Sequence, residues 1–273
     1  MSRYVDTLPA PTNPKEKKVI VLSFGRNGTL GLYYALQKLG YNPCHMRTVF
    51  LGGAHELKLL REAARGGTYS GEKPFSKEDL QKWLGDYDAI TDITPFILEE
   101  AVAAWPDAKF ILTTRDEDAW YRSIENTILP MSRKTKSPFF RLLGMFNSFL
   151  YEMGGMTDTL GGFIWKDRAI DNKEAAIMTY RAHNEKARSL VPKDRMIEIK
   201  LEDGLGWEQI CPFLEKEIPN EPYPRANNAA EFKELTTSII GPSVRMAMLN
   251  MATTVVAPCV AVGAWYYLRY IRK

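Results

Sequence analysis

Residues 25–30, Gly-Arg-Asn-Gly-Thr-Leu, have the types and spacing that hold an anion. Gly25 and Gly28 permit a sharp turn and let a ligand approach the backbone closely, and Arg26 adds a full positive charge. Val19 to Leu22 before them is a short apolar run rich in β-branched residues, as in a strand buried on both faces. From Thr29 the period changes. Leu32, Leu36 and Leu39 share a helical face, and Gly40 is a natural stop. Strand, tight turn and helix start together aim free N–H groups and a positive helix end at one spot, which suits a phosphate or a sulfate. The two common phosphate loops do not fit. G-x-x-x-x-G-K-[ST] would need a Lys before Thr29, and G-x-G-x-x-G does not match glycines at 25, 28 and 31. An ordinary βα turn with two glycines is the alternative reading.

The elements around this loop repeat the same pattern. Residues 1–17, with Pro9, Pro11 and Pro14, read as a loose arm. They have no apolar core of the kind a signal peptide carries. A turn at Tyr41-Asn42-Pro43 leads into a short second strand near Cys44, His45 and Met46. Helices follow over 54–66 and 76–84, the latter opened by Ser76 three residues before Asp79 in a capping-box variant. Ala89-Ile90-Thr91 is a strand that runs into Asp92, with a helix over 96–104. Lys109 to Thr114 is another buried-type strand, ending in Arg115, with a helix from Ala119 to about Ile128.

Residues 130–165 are rich in Phe, Leu and Met and are broken up by Gly154, Gly155, Gly161 and Gly162. They read as a packed helical subdomain or as a mobile apolar cover over a second site. A polar helix spans about 172–190, Met196 to Lys200 is a last strand, and Trp207 to Glu215 a helix. Strands alternating with helices predict a parallel sheet, whose ligands sit at the C-terminal strand ends. Arg26, Asp92 and Arg115 each follow a strand, so the topology gathers them along one edge.

Composition narrows the class. The chain has 273 residues, 45% hydrophobic and 25% charged, enough for one sizeable α/β domain or one domain with an appendage. A net charge of +3 is too small an excess for a nucleic-acid partner, but it is compatible with a small anionic cosubstrate. Cys44, Cys211 and Cys259 are odd in number and far apart, so neither a disulfide framework nor a metal site is expected, and a reducing, cytosol-facing domain fits.

Taken together, several segments over residues 18–233 resemble the sulfotransferase-like family with the P-loop NTPase-type fold, in order and in spacing. They are Gly25-Arg26-Asn27-Gly28-Thr29, Pro43-Cys44-His45-Met46, Asp92 after its strand, Trp105-Pro106-Asp107-Ala108-Lys109, and Thr114-Arg115-Asp116 with Trp120-Tyr121 and Ser123. Tyr180-Arg181-Ala182-His183-Asn184 and Pro222-Tyr223-Pro224-Arg225-Ala226-Asn227 complete the set. The resemblance implies a three-layer α/β fold on a parallel sheet over about 18–235, and 3′-phosphoadenylyl sulfate as cosubstrate with no metal. The reaction implied is sulfuryl transfer to a hydroxyl or amine of a small acceptor.

The resemblance also distributes roles. Arg115 at a strand end and Ser123 eight residues on would hold the 3′-phosphate, since an Arg fork binds phosphate oxygens in a bidentate manner. Arg26 would bridge the transferred group and the leaving phosphate. Gly25, Asn27, Gly28, Thr29 and Leu30 would form the cradle, with Arg225 closing late in the chain. Asp92 is the first candidate for the general base and His45 the second. Asp92 could instead cap a helix, and His45 could be structural. His55 and His183 read as helix-surface or supporting residues. Two departures stand out: Asn27 replaces a small hydroxyl residue, and Ile93-Thr94-Pro95 replaces an aromatic-Pro step. They leave open a relative that kept the fold and lost the chemistry. A P-loop kinase or NTPase is disfavoured by the missing loop Lys.

Met246 to Leu268 is 23 residues without a charge, preceded by Arg245 and followed by Arg269, Arg272 and Lys273. That length crosses a hydrocarbon core as a helix. Trp265, Tyr266 and Tyr267 at one end match an aromatic belt beside basic residues. The segment, roughly 244–270, is expected to be a transmembrane tail anchor with the domain in the cytosol. The alternative is a helix docked on the domain or buried in a homodimer.

Overall fold

A computed structural model describes residues 3–66, 72–166, 169–225 and 229–271. Arg272, Lys273, Ala226 and Asn227 lie outside them. Five parallel strands, β1 (Val19–Val21), β2 (Pro43–Cys44), β3 (Ala89–Ile90), β4 (Lys109–Thr114) and β5 (Met196–Lys200), form one sheet in the order β2-β3-β1-β4-β5. The chain leaves β1 for one side of the sheet and leaves β4 for the other. Their adjacent C-terminal ends are therefore the switch point where α/β sheets take ligands.

Helices cover both faces. The first are α1 (Thr29–Lys38), α2 (Met46–Leu51), α3 (Gly53–Gly66), α4 (Lys77–Leu84), α5 (Leu98–Ala104) and α6 (Glu117–Lys136). Then come α7 (Pro138–Gly144), α8 (Ser148–Trp165), α9 (Lys173–Leu190) and α10 (Trp207–Leu214). On one face Leu32 and Leu36 of α1 meet Trp207 and Ile210 of α10 over Val19 and Val21; on the other, α3, α4, α5 and α8 pack over Ile20, Ile90 and Phe110. The parallel sheet expected from the alternation and the three-layer α/β fold implied by the resemblance are present, and α1 starts at Thr29 as its period requires.

Three details differ from expectation. Residues 3–7 are docked rather than loose: Val5 is fully buried in a short 3-10 turn. The Tyr4 and Val5 N–H groups donate to the Glu62 carboxylate at 2.6 and 2.9 Å, and Arg3 pairs with Asp79 at 2.9 Å. Second, α6 runs straight through Pro130 to Lys136, because Leu129, Ser132 and Thr135 are buried on either side of the proline and their packing outweighs one lost helix bond. Third, the glycines of 154–162 lie inside α8 instead of breaking it. At Gly155 a Cβ would collide with the guanidinium of Arg61, which crosses there to Glu152 at 3.1 Å.

Beyond the domain, α11 (Ala229–Met251) continues through a π-helical turn (Ala252–Val256) into α12 (Ala257–Tyr266). Thr236–Ile271 is long and apolar enough to cross a membrane, and its most apolar stretch is only 6% buried. Its beginning packs on α6, α7 and α8, with Ile240 and Ala247 buried.

Candidate active site

The turn after β1 is held by its carbonyls. Trp120 Nε1 donates to Gly25 O at 3.1 Å, Arg115 Nη1 to Arg26 O at 3.3 Å, and Thr113 Oγ1 to Asn27 O at 2.6 Å. In a trans peptide the next N–H points opposite to the carbonyl. The N–H groups of Arg26, Asn27 and Gly28 are thus turned away from these donors, and α1 adds the unpaired N–H groups of its first turn. Gly28 takes φ 78, a conformation glycine adopts without strain. Gly31, one turn on, has its Cα face against the carbonyl of Pro224, 2.8 Å from where a Cβ would stand. The segment carrying the exposed Arg225 therefore lies beside the first turn of α1.

Asn27 is not a side-chain donor toward a ligand. Its Nδ2 donates to Phe24 O at 3.1 Å and its Oδ1 accepts from Tyr180 at 3.2 Å, both within the buried interior. Only its backbone N–H remains for an anion. Tyr180 also accepts the Arg115 N–H at 3.0 Å and stacks on Trp120, ring centroids 4.4 Å apart. Trp120 and Tyr180 thus fix both strand-end turns, roles that their presence in recurrent segments alone did not reveal.

Arg26 is the hub. Its Nε donates to Ser123 Oγ at 3.0 Å, and its carbonyl holds Arg115. Burial, reinforced by the charge of Arg115 and opposed by Asp92, pushes its guanidinium below the usual range. Ser123, expected to share a phosphate with Arg115, is in direct contact with Arg26. Arg115 borders a shallow polar cleft with Lys200, Glu202 and Arg181, whereas Arg26 lines an apolar cavity. Among the described residues the buried Nε of Arg115 has no partner, an open donor beside the turn.

Asp92 and His45 join Arg26 and Leu30 at the cavity. Thr29 donates its hydroxyl to Asp92 Oδ1 at 2.9 Å. Asp92 Oδ2 lies 3.4 Å from His45 Nε2. His45 Nδ1 accepts the Arg47 N–H at 2.9 Å while capping α2, so in the neutral ring the proton is on Nε2 and faces Asp92. Burial holds this imidazole below its ordinary range, against the pull of Asp92. His45 Nε2 is buried and has no hydrogen-bond partner among the described residues; it stands beside Asp92 at ion-pair distance.

Four non-glycine residues among those described have positive φ. Lys166 and Glu215 cap α8 and α10; the other two are Arg26 (φ 74) and Asp92 (φ 67). Strain of roughly 1–3 kcal/mol at such positions persists where the surroundings over-determine it, and it clusters at functional sites.

The cavity holds about 120 Å³. Its wall is Phe24, Phe96, Ile128, Met131, Met156 and Leu160. The apolar 130–165 stretch forms packed helices: α8 lies in the core, and its Met156 and Leu160 also face the cavity. His183 is not on a helix surface. It is buried against Phe24 and bonds Leu22 O at 2.7 Å, whereas His55 is exposed and bonds Tyr4.

Residues 18–232 match the family model of a sulfotransferase domain. Over 258 residues the chain is 33% identical to Ava biosynthesis cluster protein M of Aspergillus versicolor, covering 92% of this chain and 96% of that one. A crystal structure of a sulfotransferase from Alicyclobacillus acidocaldarius is similar over 85% of this chain and 94% of its own, at 14% identity and a TM-score of 0.44. That likeness is too distant for residue-level correspondence. The chain belongs to the sulfotransferase-domain family.

Proposed function

We propose that the protein transfers a sulfuryl group from 3′-phosphoadenylyl sulfate to a hydroxyl or amine of a small, lipophilic acceptor. The observation that carries this reading is the meeting of Arg26, Thr29, Asp92 and His45 at the mouth of an apolar cavity, beside a turn whose N–H groups face outward. The acceptor's oxygen or nitrogen attacks sulfur in line. The bond from sulfur to the 5′-phosphate oxygen breaks, and 3′-phosphoadenosine 5′-phosphate leaves. Asp92, steadied by Thr29 and His45, takes the acceptor's proton. Arg26 and the turn's N–H groups meet the charge on the transferred group and the departing phosphate. Arg115, with its open Nε, and Ser123 bind the nucleotide's other phosphate, and Arg225 lies over the start of α1 to close on it.

The apolar cavity wall supports a lipophilic acceptor. The Aspergillus versicolor relative is named for a biosynthesis cluster, which supports a place in specialised metabolism. The C-terminal helix anchors the protein in a membrane with the domain in the cytosol. Its charge-free length and the Trp265-Tyr266-Tyr267 belt support this, and alkaline extraction with protease protection tests it. For the reaction, the protein is incubated with 3′-phosphoadenylyl sulfate and a panel of lipophilic phenols, alcohols and amines. A mass gain of one sulfuryl group that disappears in Arg26→Ala supports transfer. Nucleotide binding with no product from any acceptor class would favour a protein that keeps the site without the chemistry, a reading to which the inward-turned Asn27 side chain lends support.

A further inference from the structure

The corner between α7 and α8 carries apolar side chains that the domain does not cover. Phe139 and Leu142 of α7, Met145 at the turn and Tyr151 of α8 are exposed, Met145 by 76%. Beside them runs the C-terminal helix: Asn250 Nδ2 donates to Phe146 O at 2.9 Å, and Met145, Phe146 and Tyr151 share a groove with Asn250 and Thr254.

This contact fixes a height. Asn250 and Thr254 lie four and eight residues past Met246, where the charge-free run begins. At the helical rise of about 1.5 Å per residue, that is roughly 6–12 Å inside it. A span uses about 20 residues, so a run of 23 leaves only about 5 Å of slack. The corner cannot stand clear of a bilayer that the run crosses. Its chemistry matches that position: apolar and aromatic side chains at the tip, with exposed Arg133, Lys134 and Lys136 at the end of α6 behind them. Such a pattern seats at the boundary of acyl chains and anionic headgroups.

We infer that the α7–α8 corner is a second membrane contact, dipping into the interface beside the anchor and holding the domain at a fixed tilt with its cavity close to the lipid. The inference rests on the anchor reading above, and the following experiment separates the two.

The full chain is reconstituted into phosphatidylcholine–phosphatidylserine vesicles that contain, in separate samples, a lipid with a shallow nitroxide, which reports on the interface, or one with a deep acyl-chain nitroxide, which reports on the middle of the span. An environment-sensitive fluorophore is attached at one site at a time. One site is native Cys259, exposed in the span; Cys44 and Cys211 are buried. The other two, in a Cys259→Ser background, are Met145→Cys and Glu217→Cys, the latter exposed beyond α10 on the opposite face of the sheet. The expected result is a blue shift and nitroxide quenching at 259 and 145, with neither at 217. Quenching at 259 but not at 145 overturns the inference and leaves the anchor standing. No quenching at 259 removes the anchor and the inference with it. A label at 145 that is shielded from aqueous iodide yet unquenched by lipid would assign the patch to another copy of the chain, again overturning it.

Discussion

Arg26 donates its Nε–H to the hydroxyl of Ser123 at 3.0 Å. The cation next to the cavity and a hydroxyl of α6 are thus one unit, and through the Arg26 carbonyl Arg115 belongs to it. Replacing Arg26 by Ala removes the charge that meets the breaking bond, so kcat/KM should fall by about 10²–10³-fold, as for loss of a group that stabilises developing charge. Arg26→Lys keeps the charge and loses the planar fork, so its loss should be smaller. Transfer of labelled sulfate measures both, and equal rates in wild type and Arg26→Ala would remove this residue from the mechanism.

The same residue should oppose stability. Its φ of 74 is a left-handed conformation that costs a non-glycine residue roughly 1–2 kcal/mol. Burial further disfavours its charge. Arg26→Gly is therefore predicted to raise the urea midpoint while abolishing transfer, the usual trade between activity and stability. A lower midpoint would show that its contacts with Ser123 outweigh the strain.

Asp92→Asn keeps an oxygen for the Thr29 hydroxyl and cannot accept the acceptor's proton. Removing a positioned general base should reduce kcat by about 10²–10⁴-fold. Affinity for 3′-phosphoadenosine 5′-phosphate should stay close to wild type, since the group acts on the reaction rather than on the nucleotide. Steady-state kinetics and calorimetry separate the two effects; unchanged kcat would exclude Asp92 as the base.

Tyr180 serves Asn27 and the Arg115 N–H with one hydroxyl. Tyr180→Phe strands both, and unsatisfied buried groups cost about 1–3 kcal/mol. Chemical denaturation should show that loss together with weaker nucleotide binding, because the Arg115 turn loosens. A stability loss with unchanged binding would mean that the turn is held without Tyr180.

His183 sets an acid limit. Burial lowers its imidazole from the ordinary 6.5 to about 4, partly offset by its bond to Leu22 O. Below pH 6.5 the unfolded chain takes up a proton that the native state refuses, so stability falls as pH falls, and the loss is complete below about pH 4. The window corresponds to about 3 kcal/mol at 1.36 kcal/mol per pH unit. His183→Gln can still donate to Leu22 O and should flatten this slope; an unchanged slope would assign it to other groups.

Much of this frame is local and so was legible in the sequence. The switch from strand to helix at Thr29 is a change of period within one segment, and Asp92 and Arg115 follow apolar runs that announce their strands. What was hidden is long-range. Nothing near Arg26 or Asp92 signals a positive φ, which the packed sheet edge imposes. The inward turn of Asn27 needs Tyr180, 153 residues away. The tautomer of His45 depends on capping α2 through the Arg47 N–H, and at Gly155 of α8 the crowding comes from Arg61, which crosses there from α3.

The central claim is that the turn after β1 and the end of β4 grip one bis-anionic nucleotide. Titration calorimetry of 3′-phosphoadenosine 5′-phosphate into the full chain tests it without knowledge of the acceptor. Wild type should bind, and Arg115→Ala and Arg26→Ala should each weaken binding by roughly 10–100-fold, the value of a charged hydrogen bond of about 1.5–3 kcal/mol. No heat from wild type, or the same Kd in all three proteins, would contradict it.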